Sequence, residues 1–139
     1  ICKKVRDDGA YIEGGENDNL IVQKIAANPN TLGVFGYSFL EENTDKIKDV
    51  PINGISPTYE SISSFKFPAS RPLFIYGKIQ HMRAVKGMKE FIAEYTKESV
   101  WGPGGMLSKR GLVAEPAAVR AKYAAIAKNL TPLDISTLK

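Results

Sequence analysis

Apolar positions recur at helical spacing in some stretches of the chain and in short continuous runs in others. Leu20, Ile21 and Ile25 form one stripe of a helix over Asn19–Ala27, with Asn17 or Asp18 as its cap and Asn28-Pro29-Asn30 as its stop. Leu32-Gly33-Val34-Phe35-Gly36-Tyr37 reads as a short, mostly buried strand. Ser38 with Glu41 three residues later is a capping box opening a short helix through Asn43. Ile47–Ile52 alternates weakly, as a strand does, and Asn53-Gly54 closes it with a tight turn. Ser56-Pro57 starts a short helix to Ser64, since proline suits the first helical position.

Pro68 and Pro72 bracket a linker-like stretch ahead of a third predicted strand, Leu73-Phe74-Ile75-Tyr76. Val85, Met88, Phe91, Ile92 and Tyr95 then fall on one helical stripe. Val119, Tyr123, Ile126 and Leu130 make another, with Pro116 near its first turn and Pro132 beyond its end. Trp101-Gly102-Pro103-Gly104-Gly105 is a glycine-rich turn between them. Alternating strands and helices point to α/β layering. Three short strands make a thin sheet for 139 residues, so partner strands are expected from elsewhere.

Charge adds a boundary. Residues 1–69 carry seven Lys or Arg against ten Asp or Glu, a balance of −3, while residues 70–139 carry twelve against five, a balance of +7. The sign changes where the proline-bracketed stretch ends, which marks 70 as a junction between two structural units. A basic half admits a small basic nucleic-acid-binding domain as an alternative function. Its lysines and arginines are scattered rather than clustered with aromatics, however, and nucleic acid is not expected as a partner. No run of about 18 apolar residues is present to cross a membrane as a helix. The chain begins at Ile1 without an initiator Met or a leader pattern, as a trimmed, processed or partial sequence does.

Candidate chemistry is sparse. One histidine, His81, and one cysteine, Cys2, cannot build a zinc site or an internal disulfide, and no metal or cofactor is expected. His81 has no motif placing a serine nucleophile or an orienting acid beside it. The acidic pairs Asp7-Asp8 and Glu41-Glu42 read as solvated surface, because adjacent side chains point apart. Gly102-Pro103-Gly104-Gly105 lacks the spacing of a phosphate-binding P-loop and reads as a turn under Trp101. No enzyme is expected. Gly14-Gly15-Glu16-Asn17-Asp18-Asn19 is the most unusual segment, and two readings stay open for it: simple capping, or a helix N-terminus whose N–H groups face an anion.

Several segments taken together resemble the C-terminal half of the phosphate-binding proteins of bacterial phosphate ABC transporters. They are Asp8 to Asn19, Asn28 to Leu40, Ser56-Pro57-Thr58, Ser70-Arg71-Pro72-Leu73-Phe74-Ile75-Tyr76, Lys89 to Tyr95, and Trp101-Gly102-Pro103. Their order and spacing match over nearly the whole chain. The resemblance implies a type II periplasmic-binding-protein-like α/β fold with two hinged lobes, present here only as its C-terminal portion. Residues 1–69 would be the later part of the second lobe, 70–76 the returning hinge strand, and 77–139 the C-terminal part of the first lobe.

It further implies binding of inorganic phosphate, delivery to the membrane permease of an ABC transporter, and a periplasmic location. Such proteins hold phosphate with a Thr/Ser loop near the mature N-terminus and a Ser-Gly-Thr helix start preceded by arginine. Neither motif occurs here, so the primary ligands are expected upstream, in a missing N-terminal half. Glu16, Asn17, Asp18, Asn19, Tyr37 and Ser38 would fall near the cleft and hinge as ligand-binding candidates. Cys2 would be free to pair with an upstream cysteine. Apolar faces awaiting absent strands would favour a homodimer of the fragment.

Overall fold

The computed structural model describes residues 4–134 and Ser136. Cys2, with its expected upstream pairing, lies outside the described residues. Among those described, the chain forms seven α-helices and one 3-10 turn: α1 (Asp18–Ala27), α2 (Tyr37–Glu42), α3 (Tyr59–Ser63), α4 (His81–Ala84), α5 (Met88–Tyr95), α6 (Glu98–Trp101), the 3-10 turn Ser108–Arg110, and α7 (Ala117–Asn129). The chain divides into two compact units, residues 1–49 and 50–139. This division falls earlier than the charge junction at 70, which lies inside the second unit.

In the first unit α1 packs on α2, and Val22 and Ile47 are its buried apolar side chains. Asn17 caps α1 through Oδ1, which accepts the Leu20 N–H at 3.2 Å. The α2 start differs from the expected capping box at Ser38. Gly36 is the cap and donates its N–H to Asp18 Oδ2 at 3.4 Å, so α2 begins at Tyr37 and Ser38 lies one residue inside it. A contact eighteen residues away in sequence thus sets this helix start, and the local pattern could not reveal it.

In the second unit α5 is central and packs against α4, α6 and α7, around the buried Met82, Val100 and Ala114. The helix expected over 57–64 is shorter. Thr58 caps α3 with a reciprocal box to Ser61, and Ser56 instead accepts from the Ser61 hydroxyl through its carbonyl at 2.7 Å. Ser63 Oγ donates to the Ala114 carbonyl at 2.7 Å, tying α3 to the segment that leads into α7. The stripe from Val85 to Tyr95 is interrupted because Gly87 takes φ +85, leaving Val85 as the C-cap of α4 and starting α5 afresh at Met88. Leu130 ends α7 in the left-handed region, one residue beyond Asn129.

The three expected strands do not form. Among the described residues the sole β pairing is the bridge between Ile52 and Ile55 across the Asn53-Gly54 turn, with both hydrogen bonds at 3.0 Å. The turn is therefore present, while the strand expected before it is not. Residues 32–35 and 71–77 make no backbone-to-backbone hydrogen bond among the described residues. A strand is stable only when neighbours satisfy its edges, and these segments have none among the described residues. Their side chains are correspondingly open: Leu32 is 81% and Val34 93% exposed, and Leu73, Phe74, Ile75 and Tyr76 are 68, 51, 58 and 69% exposed.

Candidate functional site

The six cleft candidates lie in the first unit, at the start of α1 and the start of α2. The Asp18–Gly36 hydrogen bond brings Asn17, Asp18, Tyr37 and Ser38 to one junction. Asp18, Tyr37 and Ser38 are half-buried there, and Glu16, Asn17 and Asn19 are exposed. Several donors of the junction are used within it. Asn17 occupies the Leu20 N–H with its side chain, and its carbonyl takes the Leu20 and Ile21 N–H groups at 3.0 and 3.2 Å. The Asp18 carboxylate takes the Gly36 N–H that an anion at α2 would otherwise use. The Asp18 carboxylate also places a negative charge beside both helix starts, which opposes an anion there. Asn17 thus realises the cap that the first reading of this segment expects.

The glycine-rich turn is likewise spent internally. Gly102 N–H donates to the Glu98 carbonyl at 2.9 Å, Gly105 N–H to the Gly102 carbonyl at 2.9 Å, and Met106 N–H to the Ser99 carbonyl at 3.0 Å. Those three donors are not free to meet a phosphate. A Cβ on Gly102 would stand 2.5 Å from the Glu98 carbonyl oxygen, so glycine is needed for the chain to leave α6 this closely.

His81 is the exposed first residue of α4. Asp7 and Asp8 pair with the nearby Lys4 and Arg6, and Glu41 and Glu42 are exposed. No group of three His, Cys, Asp or Glu side chains converges among the described residues. No helix of the described residues is long and apolar enough to cross a membrane.

Sequence reasoning missed one polar cluster. Arg120, at the start of α7, forks onto Glu98 of α6, with Nε at 3.1 and 3.2 Å from the two carboxylate oxygens and a terminal nitrogen at 2.8 Å. Its other terminal nitrogen donates to the Glu115 carbonyl. The Arg120 side chain is only 11% exposed, while Glu98 is 64% exposed. Hydrogen bonding to Arg120 holds the Glu98 carboxyl below its ordinary value, against the opposing effect of desolvation. A spacing of twenty-two residues gives no local signal of such a pair. Its chemistry is structural: it clamps α6 to α7.

The chain is similar to proteins named phosphate-binding protein PstS. It is 36% identical to those of Staphylococcus epidermidis and Staphylococcus haemolyticus over 109 residues, which is 75% of this chain and 32 and 33% of theirs. It is 35% identical to that of Staphylococcus aureus over 109 residues, again 75% of this chain and 32% of the relative. The chain thus spans about a third of the length of these relatives. No family model and no solved structure matches it. The names of these relatives give phosphate, not nucleic acid, as their ligand. By these matches the chain is a homologue of the phosphate-binding proteins PstS, aligned over three quarters of its own length and a third of theirs.

Proposed function

We propose that this sequence is the C-terminal part of a two-lobed, non-catalytic protein that binds inorganic phosphate and hands it to the membrane permease of an ABC transporter. The observation that carries the reading is the 36% identity over 109 residues to proteins named for phosphate binding. In this reading the fold is type II periplasmic-binding-protein-like α/β, and the lobes close around the anion outside the inner membrane, in the periplasm or at the cell surface. Residues 1–69 belong to the second lobe, 70–76 return through the hinge, and 77–139 complete the first lobe. The charge reversal at 70 supports that division.

Closure would be stabilised by contacts made only in the closed, liganded state. The primary ligand loops lie in the N-terminal half. Glu16, Asn17, Asp18, Asn19, Tyr37 and Ser38 are ligand-binding candidates at the cleft rim, and the Asp18–Gly36 bond ties together the starts of α1 and α2 that carry them. Discrimination against sulfate requires a carboxylate that accepts the proton phosphate keeps, and that group belongs upstream as well.

Calorimetric titration of a polypeptide carrying this sequence at the full length of its relatives tests the reading. Saturable binding of phosphate and none of sulfate is expected. Heat of binding for neither anion would sink it.

A further inference from the structure

A groove of about 520 Å³ opens between α5 and α7 in the second unit. It runs from Lys89 to Thr96 on one wall and from Ala124 to Leu130 on the other, about two helical turns or roughly 10 Å. The lining is mostly apolar. Ala93, Ala124 and Ala127 are too small to fill the space between the helices, and Leu130 extends the same surface. Thr96 adds a hydroxyl, but its donor is spent on the Ile92 carbonyl at 3.0 Å.

Charge enters the groove only through Lys89 and Lys128. Both are exposed, and neither has a carboxylate partner among the described residues; Glu94 of α5 is taken by Lys97. Lys128 suits the last turn of α7, where the helix dipole favours a cation. Lys89 stands in the first turn of α5, where the dipole disfavours one. Two like charges along one apolar groove also repel, and an anion between them relieves both penalties. A small hydrated oxyanion suits the groove poorly, because it would give up water against methyl groups and gain only two ammonium contacts. An anion that carries its own apolar body matches both parts of the lining.

We propose that the groove between α5 and α7 binds a free amphiphilic carboxylate, a fatty acid of medium chain length. Its carboxylate sits between Lys89 and Lys128, and its alkyl chain lies along Ala93, Ala124 and Ala127. The proposal does not depend on phosphate binding, and the test of either leaves the other standing.

Decanoate is the probe, added to the whole chain below the concentration at which it self-associates, with amide shifts followed by NMR. Saturable one-to-one shifts are expected at Ala93, Ala124 and Ala127. Decanol, of equal length without the charge, should bind about tenfold or more weakly, and Lys89→Gln together with Lys128→Gln should weaken decanoate as much. Ala124→Leu fills the groove and should remove the binding. Both lysines are exposed, so their variant keeps its helices by circular dichroism even if Ala124→Leu does not. Absence of a saturable shift overturns the proposal. Equal affinity for decanol, or unchanged affinity in the lysine variant, overturns it too, leaving an apolar crevice with no preference for an anion. So does displacement of decanoate by inorganic phosphate at equal concentration. A chain that binds vesicles of anionic phospholipid and ignores decanoate would give the lysines to a membrane surface and overturn it as well.

Discussion

The ribbon at 73–76 and the clamp between α6 and α7 belong to the same compact unit and have opposite fates. In the clamp, Arg120 reaches Glu98 and the Glu115 carbonyl, Gly102 lets the chain leave α6 closely, and the turn donors find carbonyls within a few residues. These groups are paired from inside the chain, while the buried Trp101 Nε1 has no hydrogen-bond partner among the described residues. The ribbon has side chains suited to a sheet interior and no backbone pairing among the described residues. Burial of those side chains is worth roughly 25 cal/mol per Å² of apolar surface, and here that stabilisation is not collected. Closed regions report the chain's own stability; open ones report what it is meant to meet.

The sharpest way to break the contrast is Gly102→Ala. Its Cβ would press on backbone, which cannot rotate away, so unit stability should fall by about 1–3 kcal/mol in urea denaturation. A value equal to the parent would mean that the clamp is not closed as described. Asn17→Ala removes the side-chain acceptor for the Leu20 N–H and should cost about 1 kcal/mol, localised to α1 by hydrogen exchange. No change there would show that the α1 start is held by other means.

The acid limb tests the clamp more gently. The folded pKa of Glu98 lies below its ordinary value, so its contribution is present above the unfolded pKa of about 4.3 and fades as pH falls toward the folded value. Tm of the parent should therefore drop in that window, and Glu98→Gln should flatten the drop while lowering Tm at neutral pH. An acid limb identical in both proteins would remove Glu98 from the account. The smallest effect belongs to the ribbon: Ile75→Ser should leave the stability of the chain alone within about 0.5 kcal/mol. A loss as large as that of Gly102→Ala would show that Ile75 is packed.

Much of the helix content was legible because periodicity and caps act locally. The α1 and α7 helices and the Asn53-Gly54 turn came from neighbours within a few residues, although the buried side chain of α1 is Val22 and not the stripe of Leu20, Ile21 and Ile25. Boundaries failed where a distant group intervened, as Asp18 does at Gly36, or where one glycine outweighed a stripe, as Gly87 does. The strands at 32–37, 47–52 and 73–76 were read from side-chain preference, which says what environment suits a segment and not whether the chain supplies it. The Arg120–Glu98 pair was invisible because its spacing follows from helix packing alone. The cleft candidates came from the resemblance and not from a local pattern; the Asp18–Gly36 bond joins the two helix starts on which they lie.

A chimera addresses the central claim most directly: this chain in place of the matching third of the Staphylococcus epidermidis relative, titrated calorimetrically with phosphate beside the unaltered relative and the chain alone. The account predicts one phosphate bound per molecule by the chimera and by the relative, and none by the chain alone. A folded chimera that ignores phosphate while the relative binds it, or a chain that binds phosphate tightly unaided, would contradict it.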